Sequence, residues 1–258
     1  MSTALSIAGI DTSGGAGVFA DIKTFSAFGV YGMGVVTAIT AQNTCGVLGV
    51  KNIERKFFIE QLKAVIEDIK PDSIKTGMIS QPQQAYEVAK VIVEYKLKNI
   101  VIDPVICSKH NNILTPKNSV KSIIENLFPV SDIVTPNIPE AEFITGIKIK
   151  NLDHMIKAAE KIYRLGIKNV LLKGGHLKEK KLVDLFYSQN QIEIFENVRI
   201  ETKNTHGTGC ALSAAIAANL SKGLKLIDAV DLSINYIHLA IKKSFNIGKG
   251  CGPINHFV

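Results

Sequence analysis

Short apolar runs alternate along the chain with longer stretches in which apolar residues recur every three or four positions. The short runs predict strands at residues 4–10, 34–40, 73–78 and 99–104, with two more opening at Ile133 and Asn169. Helical spacing predicts helices at residues 18–28, 57–69, 82–95, 152–165, 209–220 and 226–245. Strands that alternate with helices are typical of an α/β protein with a mostly parallel sheet and helices on both faces.

A further pair of short runs, at residues 182–187 and 191–196, predicts a hairpin that turns at Asn190. No low-complexity tract, long linker or fixed-period repeat interrupts the 258 residues. The composition is 46% hydrophobic and 21% charged, as in a soluble globular protein. We therefore expect a single domain that spans residues 1–258.

One stretch, residues 24–50, contains no charged residue and invites comparison with a membrane span. It contains three glycines between positions 29 and 34, and it includes the polar run Gln42-Asn43-Thr44. Such residues are untypical of a membrane helix, so a buried strand between loops is the better interpretation. No contact with a membrane is therefore expected.

The chain carries a formal net charge of +7, and lysines are dense between Lys148 and Lys181. Within residues 152–165 these charges fall between apolar positions at helical spacing, as on the solvated face of a helix. No aromatic residues are interleaved with the basic ones as a nucleic-acid surface would require. We therefore expect no nucleic-acid partner, whereas an anionic substrate would gain from the positive field.

The cysteines and the amino terminus both indicate a compartment. The cysteines are Cys45, Cys107, Cys210 and Cys251, scattered without any CxxC pair. This spacing argues against a zinc site or a disulfide framework and fits a reducing cytoplasm. The amino terminus lacks a basic stretch, and Asp11 interrupts its apolar start, so no signal peptide is expected. We therefore expect a cytoplasmic protein.

The run Asn204-Thr205-His206-Gly207-Thr208-Gly209-Cys210, here called the anion turn, leads into an alanine-rich helical stretch. A glycine turn that opens a helix presents unpaired N–H groups at the positive end of the helix dipole, which favours binding of phosphate. Cys210 lies in the first helical turn, where a thiol pKa tends to fall. The pattern predicts a phosphoryl-transfer site. An ordinary glycine turn with a buried cysteine is the alternative.

Residues 11–17, here called the glycine loop, lie between the first predicted strand and the first predicted helix. Residues 15–20 match the pattern G-x-G-x-x-A of dinucleotide-binding proteins. That mechanism also requires a carboxylate about 20 residues further on, to hold the ribose hydroxyls. No Asp or Glu occurs between Asp21 and Glu54, so a nicotinamide cofactor is not favoured. The glycines are better explained by a close approach of the backbone to a substrate.

Polar side chains follow several of the predicted strands. Gln42 comes after residues 34–40, and later strands are followed by Asp103, Glu140 and Lys173. In a parallel sheet the carboxyl ends of the strands face one crevice, where ligands bind. Taken alone, each charged residue is explained equally well as a helix cap or as a surface charge. Three charges opposite the anion turn favour a shared functional site.

These motifs occur together, and in the same order, in one known family. They are the glycine loop, Ala41-Gln42-Asn43-Thr44, Lys75-Thr76-Gly77-Met78, Asp103-Pro104-Val105, Thr135-Pro136-Asn137 with Glu140, Lys173-Gly174-Gly175-His176 and the anion turn. Over residues 7–256 the chain resembles the hydroxymethylpyrimidine (phosphate) kinases, the thiamine-pathway branch of the ribokinase-like proteins. The resemblance implies a three-layer α/β/α sandwich and a homodimer. It also implies two successive phosphorylations of 4-amino-5-hydroxymethyl-2-methylpyrimidine, with ATP and Mg²⁺.

The resemblance implies roles for the anion turn and for the charged strand ends. Gly207, Thr208 and Gly209 would form the hole for the transferring phosphoryl group. Cys210 would take the proton of the acceptor hydroxyl as a thiolate, and Lys173 would neutralise the ATP phosphates. The other implied nucleotide contacts are Asn204 and Thr205, and the implied magnesium ligands are Asp103 and Glu140.

On the substrate side, the resemblance implies that Gln42 offers its amide oxygen and nitrogen to the amino group and a ring nitrogen of the pyrimidine. Gly9 and Asp21 occupy matching substrate positions, and Met78 and Val105 would form apolar walls. A pyridoxal kinase of the same branch, or an enzyme that uses both rings, is the nearest alternative, because both substrates carry a hydroxymethyl group on a heteroaromatic ring. A non-catalytic nucleotide-binding regulator is a third interpretation, which the full polar set does not favour.

Overall fold

Nine strands form one continuous sheet in the residues that the computed structural model describes, which are 1–106, 114–175 and 181–258. They are β1 Thr3–Ile10, β2 Tyr31–Asn43, β3 Gly46–Asn52, β4 Ser73–Thr76, β5 Ile100–Ile102, β6 Ile133–Val134, β7 Asn169–Lys173, β8 Lys181–Ser188 and β9 Ile192–Val198. Their order across the sheet is β3-β2-β1-β4-β5-β6-β7-β8-β9. Two residues of the sequence motifs, Cys107 and His176, lie outside the described residues.

The pairing of the strands confirms the mostly parallel sheet. Every neighbouring pair from β2 across to β7 is parallel, whereas β3 pairs antiparallel with β2, and β8 pairs antiparallel with both β7 and β9. The predicted hairpin around Asn190 is the β8–β9 pair. Because six neighbouring strands run in one direction, their carboxyl ends share one edge of the sheet.

Helices cover both faces of this sheet. They are α1 Gly17–Ala27, α2 Arg55–Ile66, α3 Pro82–Glu94, α4 Lys117–Ser122, α5 Ile138–Thr145, α6 Leu152–Tyr163, α7 Thr208–Ser221 and α8 Leu226–Lys242. Alternate residues of a strand point to opposite faces, so neighbours on one strand enter different cores. Ile100 packs with the helices that include α2, α3 and α6, whereas Val101 packs with α1, α7 and α8. The architecture is therefore the expected three-layer α/β/α sandwich.

The uncharged stretch at residues 24–50 forms the end of α1, all of β2 and most of β3. The expected strand between loops is β2, which is partly buried, whereas residues 46–50, for which no strand was predicted, begin β3. Leu48 is 80% exposed and Val50 is 47% exposed, because β3 is an edge strand that pairs on one side. Within the described ranges, no helix combines the length and the apolar composition that a membrane crossing requires.

Helix α7 explains how the anion turn comes to the carboxyl edge of the sheet. All residues from Ala211 to Leu220 are buried, because the helix packs between the sheet and the neighbouring helices α1 and α8. Five alanines in this segment keep its surface small enough for contacts on every side. The amino terminus of α7 is thereby held against the carboxyl ends of β1, β4 and β5.

The C-terminal tail after α8 returns to the anion turn and to α1. The His206 N–H donates to the carbonyl of Gly252, and the Tyr236 hydroxyl donates to the carbonyl of His256. The His256 ring is 3% exposed, and its Nδ1 lies 3.1 Å from Oγ1 of Thr24. Burial, with a smaller contribution from the charge of Lys23, lowers the pKa of His256 to about 4. The imidazole is therefore neutral at physiological pH.

We expect the substitution His256→Gln to change how stability depends on pH. A histidine whose folded-state pKa lies below its unfolded value of about 6.5 contributes fully to stability above that value, and the contribution is lost as the pH falls toward 4. The wild type should therefore lose about 3 kcal/mol more than the variant between roughly pH 7.5 and pH 4. Urea unfolding at a series of pH values measures this difference, and parallel curves for the two proteins would contradict it.

Candidate active site

The carboxyl ends of the parallel strands bring three predicted charges together. Lys173 ends β7, Asp103 follows β5, and Glu140 lies in the first turn of α5, shortly after β6. The Lys173 Nζ lies 3.0 Å from Oδ1 of Asp103, and the Thr135 hydroxyl donates to the same oxygen at 3.2 Å. Only 13% of the Lys173 side chain and 3% of the Asp103 side chain are exposed. The pair is therefore a largely desolvated charge pair at the carboxyl edge of the sheet.

Glu140 is buried at the amino terminus of α5. Its Oε2 accepts from the N–H of Asn137 at 2.8 Å, and Oδ1 of Asn137 accepts from the N–H of Glu140 at 2.9 Å, which forms a capping box. Burial raises the pKa of the Glu140 carboxyl to about 7, while the charge of Lys173 lowers it and that of Asp103 raises it. Near neutral pH the carboxyl is therefore partly protonated, and a cation beside it would favour the carboxylate.

Asp103 and Glu140 fit a magnesium ion by their chemistry. Mg²⁺ prefers oxygen ligands, keeps several waters, and is commonly held by one or two carboxylates together with substrate phosphates. Among the described residues, no group of three or more His, Cys, Asp or Glu is arranged to hold a metal. The two carboxylates therefore suit a cation that is held mainly by nucleotide phosphates and water rather than by a protein cage.

The anion turn lies at the same edge of the sheet. Gly207, which precedes α7, has φ 81°, in the left-handed region that favours glycine. A Cβ on Gly207 would lie 1.8 Å from the carbonyl oxygen of Gly15, so the anion turn and the glycine loop meet backbone to backbone. A Cβ on Gly209 would lie 3.3 Å from Nζ of Lys173. Residues 205–210 are partly exposed, and the Thr208 N–H makes only a long hydrogen bond, of 3.4 Å, to the Thr205 carbonyl. The first turn of a helix leaves N–H groups without partners inside the helix, so this terminus offers an anion site beside a cation.

Cys210 is partly exposed in the first turn of α7, but the expected fall of its pKa is wrong. Loss of water around the thiol raises its pKa to about 11. The charge of Lys75 and a backbone hydrogen bond from Gly17 act in the opposite direction. The charges of Asp21 and Asp103 add to the effect of burial, which dominates. Position at a helix terminus therefore does not decide the protonation state, and the resting group is a thiol.

Asp21, on α1, is completely buried, and the substrate position that the resemblance implies for it stays a prediction. Its carboxylate accepts two hydrogen bonds from Lys75 Nζ, at 2.8 and 2.9 Å, and one from the Ser6 hydroxyl at 2.5 Å. Both charged side chains are 0% exposed. Burial raises the pKa of Asp21, but these three hydrogen bonds from two donors stabilise the carboxylate, and its charge in turn raises the pKa of Lys75. The two residues form a buried ion pair behind Cys210.

The other expected substrate residues lie near the ends of β1, β2, β4 and β5. Gln42 is partly exposed on β2, and Val105 is partly exposed after β5. Met78 is buried after β4, and a Cβ on Gly9 would lie 2.6 Å from its Cε. Glycine at position 9 therefore leaves room for the methionine side chain. Together these residues place an amide and an apolar wall beside the glycine loop.

Asn204 and Thr205 begin the anion turn and also contact the C-terminal tail. Asn204 is buried and donates through Nδ2 to Oδ1 of Asn246 at 3.0 Å. Its own Oδ1 has no hydrogen-bond partner within the described part of the chain. The Thr205 hydroxyl lies 4.0 Å from Sγ of Cys251, and its carbonyl accepts from the Thr208 hydroxyl at 2.8 Å. These contacts shape the turn, and a nucleotide contact by either residue stays a prediction.

Sequence reasoning missed a close contact between His206 and Asp11 and a buried carboxyl, both of which shape the site. Nε2 of His206 lies 2.7 Å from Oδ2 of Asp11, which connects the anion turn to the glycine loop. Burial raises the pKa of Asp11, but hydrogen bonds from His206 and Ser13 outweigh it, so the pKa lies below its usual value. Asp184, on β8, accepts from the N–H of Gly174 at 2.8 Å, and burial raises its pKa to about 6. Neither contact joins residues of one motif, so no spacing rule points to it.

Phosphoryl transfer depends mainly on positioning and on stabilisation of negative charge. This edge of the sheet offers helix N–H groups, a largely buried lysine and two carboxylates suited to Mg²⁺, with an amide and an apolar wall alongside. The fold is an α/β/α sandwich with a mostly parallel sheet, and such folds bind their ligands at the carboxyl ends of the strands. The site lies at this edge. Fold and site together define a small-molecule kinase of the ribokinase-like class.

Comparison with known proteins gives the family. A family model described as phosphomethylpyrimidine kinase matches residues 11–255. The hydroxymethylpyrimidine/phosphomethylpyrimidine kinase of Bacillus subtilis is 42% identical over 255 residues, 98% of this chain and 94% of the relative. A solved phosphomethylpyrimidine kinase from Clostridium difficile is 45% identical with a TM-score of 0.83, over 93% of this chain and 100% of the other. A Bacillus subtilis pyridoxal kinase in complex with ADP is 38% identical with a TM-score of 0.91, over 99% of this chain and 97% of the other. The chain belongs to the phosphomethylpyrimidine kinase family.

Proposed function

We propose that the protein transfers the γ-phosphoryl group of ATP first to the hydroxymethyl group of 4-amino-5-hydroxymethyl-2-methylpyrimidine and then to the resulting monophosphate. The observation that carries this proposal is the meeting of the anion turn with Lys173 and Asp103, at the sheet edge where Gln42 is partly exposed. Family membership supports both steps, because the Bacillus subtilis relative is named for both kinase activities.

In this proposal the N–H groups at residues 207–209 bind the transferring phosphoryl group, and Lys173 lies beside it. These groups stabilise the charge that spreads over the phosphoryl oxygens during transfer, without any covalent intermediate. Mg²⁺, with Asp103 and Glu140 as protein ligands, supplies positive charge to the nucleotide phosphates when bound. Gln42 binds the amino group and ring nitrogen of the pyrimidine and thereby orients its hydroxymethyl group.

We propose that Cys210 accepts the proton of the acceptor hydroxyl in the first step. The acceptor of the second step is already an anionic phosphate, so a base contributes little there. Because the pKa of Cys210 is raised to about 11, only a small fraction is thiolate near neutral pH. The buried charge of Lys75 lowers the pKa of Cys210 and so increases the thiolate fraction. The Asp21–Lys75 pair thus acts on the reaction through Cys210, without contacting the reacting groups itself.

The substitution Cys210→Ser should therefore slow the first phosphorylation by about a hundredfold and the second by much less. In the wild type, the first step should accelerate by roughly tenfold per pH unit between pH 6 and pH 9, because the thiolate fraction rises with pH below its pKa. The variant should lose this dependence. Single-turnover assays of each step at several pH values measure both effects. Equal losses in the two steps, or a flat wild-type profile in the first, would contradict the role of Cys210.

Pyridoxal is the second candidate acceptor. The similarity to the Bacillus subtilis pyridoxal kinase favours it, since the match covers 99% of this chain and 97% of that kinase at a TM-score of 0.91. Pyridoxal also carries a hydroxymethyl group on a heteroaromatic ring, but it lacks the amino group beside a ring nitrogen that suits Gln42. We therefore rank the pyrimidine first and an enzyme that uses both rings second.

The decisive assay is purified protein with ATP, Mg²⁺ and either ring, with the products followed by mass spectrometry. The proposal predicts the pyrimidine monophosphate first, the diphosphate later, and a lower kcat/KM for pyridoxal. Omission of Mg²⁺ should abolish both steps. Phosphorylation of pyridoxal alone, or ATP consumption without a phosphorylated ring, would contradict the proposal.

We propose that this catalytic unit is a single domain of residues 1–258 that works as a cytoplasmic homodimer. One continuous sheet and the two cores on its faces support a single domain. The edge strand β3 supports association, because its apolar side chains Leu48 and Val50 are exposed. Sedimentation equilibrium should give twice the mass of the chain, and a monomer at micromolar concentration would contradict the dimer. Fractionation should place the protein in the cytosol, and recovery with membranes or outside the cell would contradict that location.

A further inference from the structure

The main chain that leaves β7 is held by two charged side chains, one on β8 and one just after β9. The Gly174 N–H donates to Oδ1 of Asp184 at 2.8 Å. The carbonyl of the next residue, Gly175, accepts from Nη1 of Arg199 at 3.0 Å. Both residues that follow Lys173 are therefore fixed by a hydrogen bond to their main chain.

Strands β7 and β8 also pack closely at this point. Lys173 and Asp184 are paired in the ladder, and directly opposed residues of two antiparallel strands project to the same face. A Cβ on Gly174 would lie 1.8 Å from the carbonyl oxygen of Val183, so no side chain fits between the two main chains. Lys173 directs its Nζ to Asp103, at 3.0 Å, while Asp184 accepts from the next N–H along the chain. Asp184 is therefore bonded to the main chain directly beside Lys173.

The carboxyl of Asp184 makes this contact although it is buried. Its residue is only 6% exposed, and burial raises the pKa of the carboxyl to about 6, while the Gly174 N–H and the charge of Lys173 lower it. A neutral acceptor could bond to the same N–H without the cost of removing a charge from water. Buried titratable groups of this kind are enriched at functional sites, and this one lies next to the lysine of the proposed transfer site.

We propose that Asp184 and Arg199 are positioning residues, whose contacts to the main chain after β7 keep Lys173 beside the anion turn. The geometry that they protect is tight, since a Cβ on Gly209 would lie 3.3 Å from Nζ of Lys173. A misplacement of about 1 Å at a reacting centre can cost about a hundredfold in rate. The inference rests on the proposed function, because it concerns the geometry of that transfer.

Each contact allows a matched pair of variants. Asp184→Asn keeps an oxygen that can accept from the Gly174 N–H, whereas Asp184→Leu keeps a side chain of similar shape without an acceptor. In the same way, Arg199→Lys keeps a donor for the Gly175 carbonyl, and Arg199→Met removes it. A positioning role predicts that the conservative member of each pair rescues the rate.

Asp132→Leu is the control for a general loss of stability. Oδ2 of Asp132 accepts from the N–H of Ile100 at 2.9 Å, so a carboxylate again holds the main chain of a strand. This contact lies at the start of β5, at the amino ends of the parallel strands and away from the proposed site. The control variant should therefore lose stability while its transfer rates stay within about twofold of the wild type.

Single-turnover rates for both phosphorylations, with saturating ATP and Mg²⁺, measure the effect. They should fall by about thirtyfold in Asp184→Leu and stay within about threefold of the wild type in Asp184→Asn. Arg199→Met should slow both steps by about tenfold, and Arg199→Lys by less. The KM for the pyrimidine should change by less than about threefold in these variants, because Lys173 acts on the phosphoryl group rather than on the ring.

The outcomes separate the inference from the proposed function. An active wild type with equal rates in Asp184→Leu and Asp184→Asn would overturn the role of the hydrogen bond and leave the kinase function in place. A loss in Asp132→Leu as large as that in Asp184→Leu would also overturn it. A wild type that phosphorylates neither ring would overturn both. Thermal unfolding identifies a variant that fails to fold. If Asp184→Leu is such a variant, the Arg199 pair decides, and equal rates in its two members would overturn the inference.

Discussion

Replacing Lys173 with methionine is expected to lower kcat for both phosphorylation steps by about a thousandfold. Methionine keeps much of the length and apolar contact of the side chain but removes the cation that lies 3.0 Å from Asp103 and next to Gly209. Transfer would then proceed without a fixed positive charge beside the phosphoryl oxygens. Single-turnover rates for each step, with saturating ATP and Mg²⁺, measure the loss.

Lys168→Met is the matched control for the loss of one positive charge. Lys168 precedes β7 and pairs with Asp132 at 2.7 Å, but its side chain is 63% exposed. Its replacement should change kcat by less than about twofold, because an exposed ion pair contributes little. Comparable rates in the Lys173 variant and this control, with both proteins folded, would show that Lys173 has no part in transfer.

The substitution Gly207→Ala should be nearly as damaging, with kcat reduced by at least about a hundredfold. The new Cβ would lie 1.8 Å from the carbonyl oxygen of Gly15, which is backbone and has no rotamer to change. Since φ at this position is 81°, the alanine is also strained in its own backbone. The anion turn must therefore shift, and its N–H groups move away from the phosphoryl position.

Gly223 provides the control at the opposite end of α7. Its φ is +84°, close to that of Gly207, but a Cβ there would meet no atom within 4 Å. Gly223→Ala should therefore show the backbone strain alone, a loss of about 1–2 kcal/mol in unfolding free energy, with kcat unchanged. If Gly207→Ala reduced kcat no more than Gly223→Ala does, the close contact between the anion turn and the glycine loop would have no catalytic importance.

The convergence of Asp103, Glu140 and Lys173 could be predicted because it follows from topology. Once strands and helices alternate, the sheet is mostly parallel, and residues that follow its strands must meet at one edge. The anion turn was predictable for a similar reason, since glycines before a buried alanine-rich helix have a local physical meaning. These features depend on chain order and local pattern, both of which the sequence contains.

The protonation state of Cys210 and the burial of Asp21 could not be predicted in this way. Position at a helix terminus lowers a thiol pKa, but desolvation by the surrounding fold raises it more, and desolvation depends on packing. Asp21 has the sequence context of an exposed substrate ligand. Its true environment is set by Lys75, which lies 54 positions away and reaches it only after β4 pairs with β1.

The contact between Asp11 and His206 was missed for a comparable reason, because 195 positions separate the two residues. Each also belongs to a motif whose glycines suffice to explain it locally. Strand β3 was missed because its residues 46–52 include two glycines and lie mostly exposed at an edge of the sheet, so they show neither the alternation nor the apolar run of a buried strand. In these cases the decisive contact is tertiary.

A crystal structure with ADP, aluminium fluoride, Mg²⁺ and the hydroxymethylpyrimidine would test the central claim most directly. We predict that the fluoride group, which mimics the phosphoryl group in transfer, lies within hydrogen-bond distance of the N–H groups at residues 207–209. Lys173 should lie on one side, and the substrate hydroxyl should point toward Sγ of Cys210. A fluoride group bound away from the amino terminus of α7, with these N–H groups in contact only with water, would contradict the account.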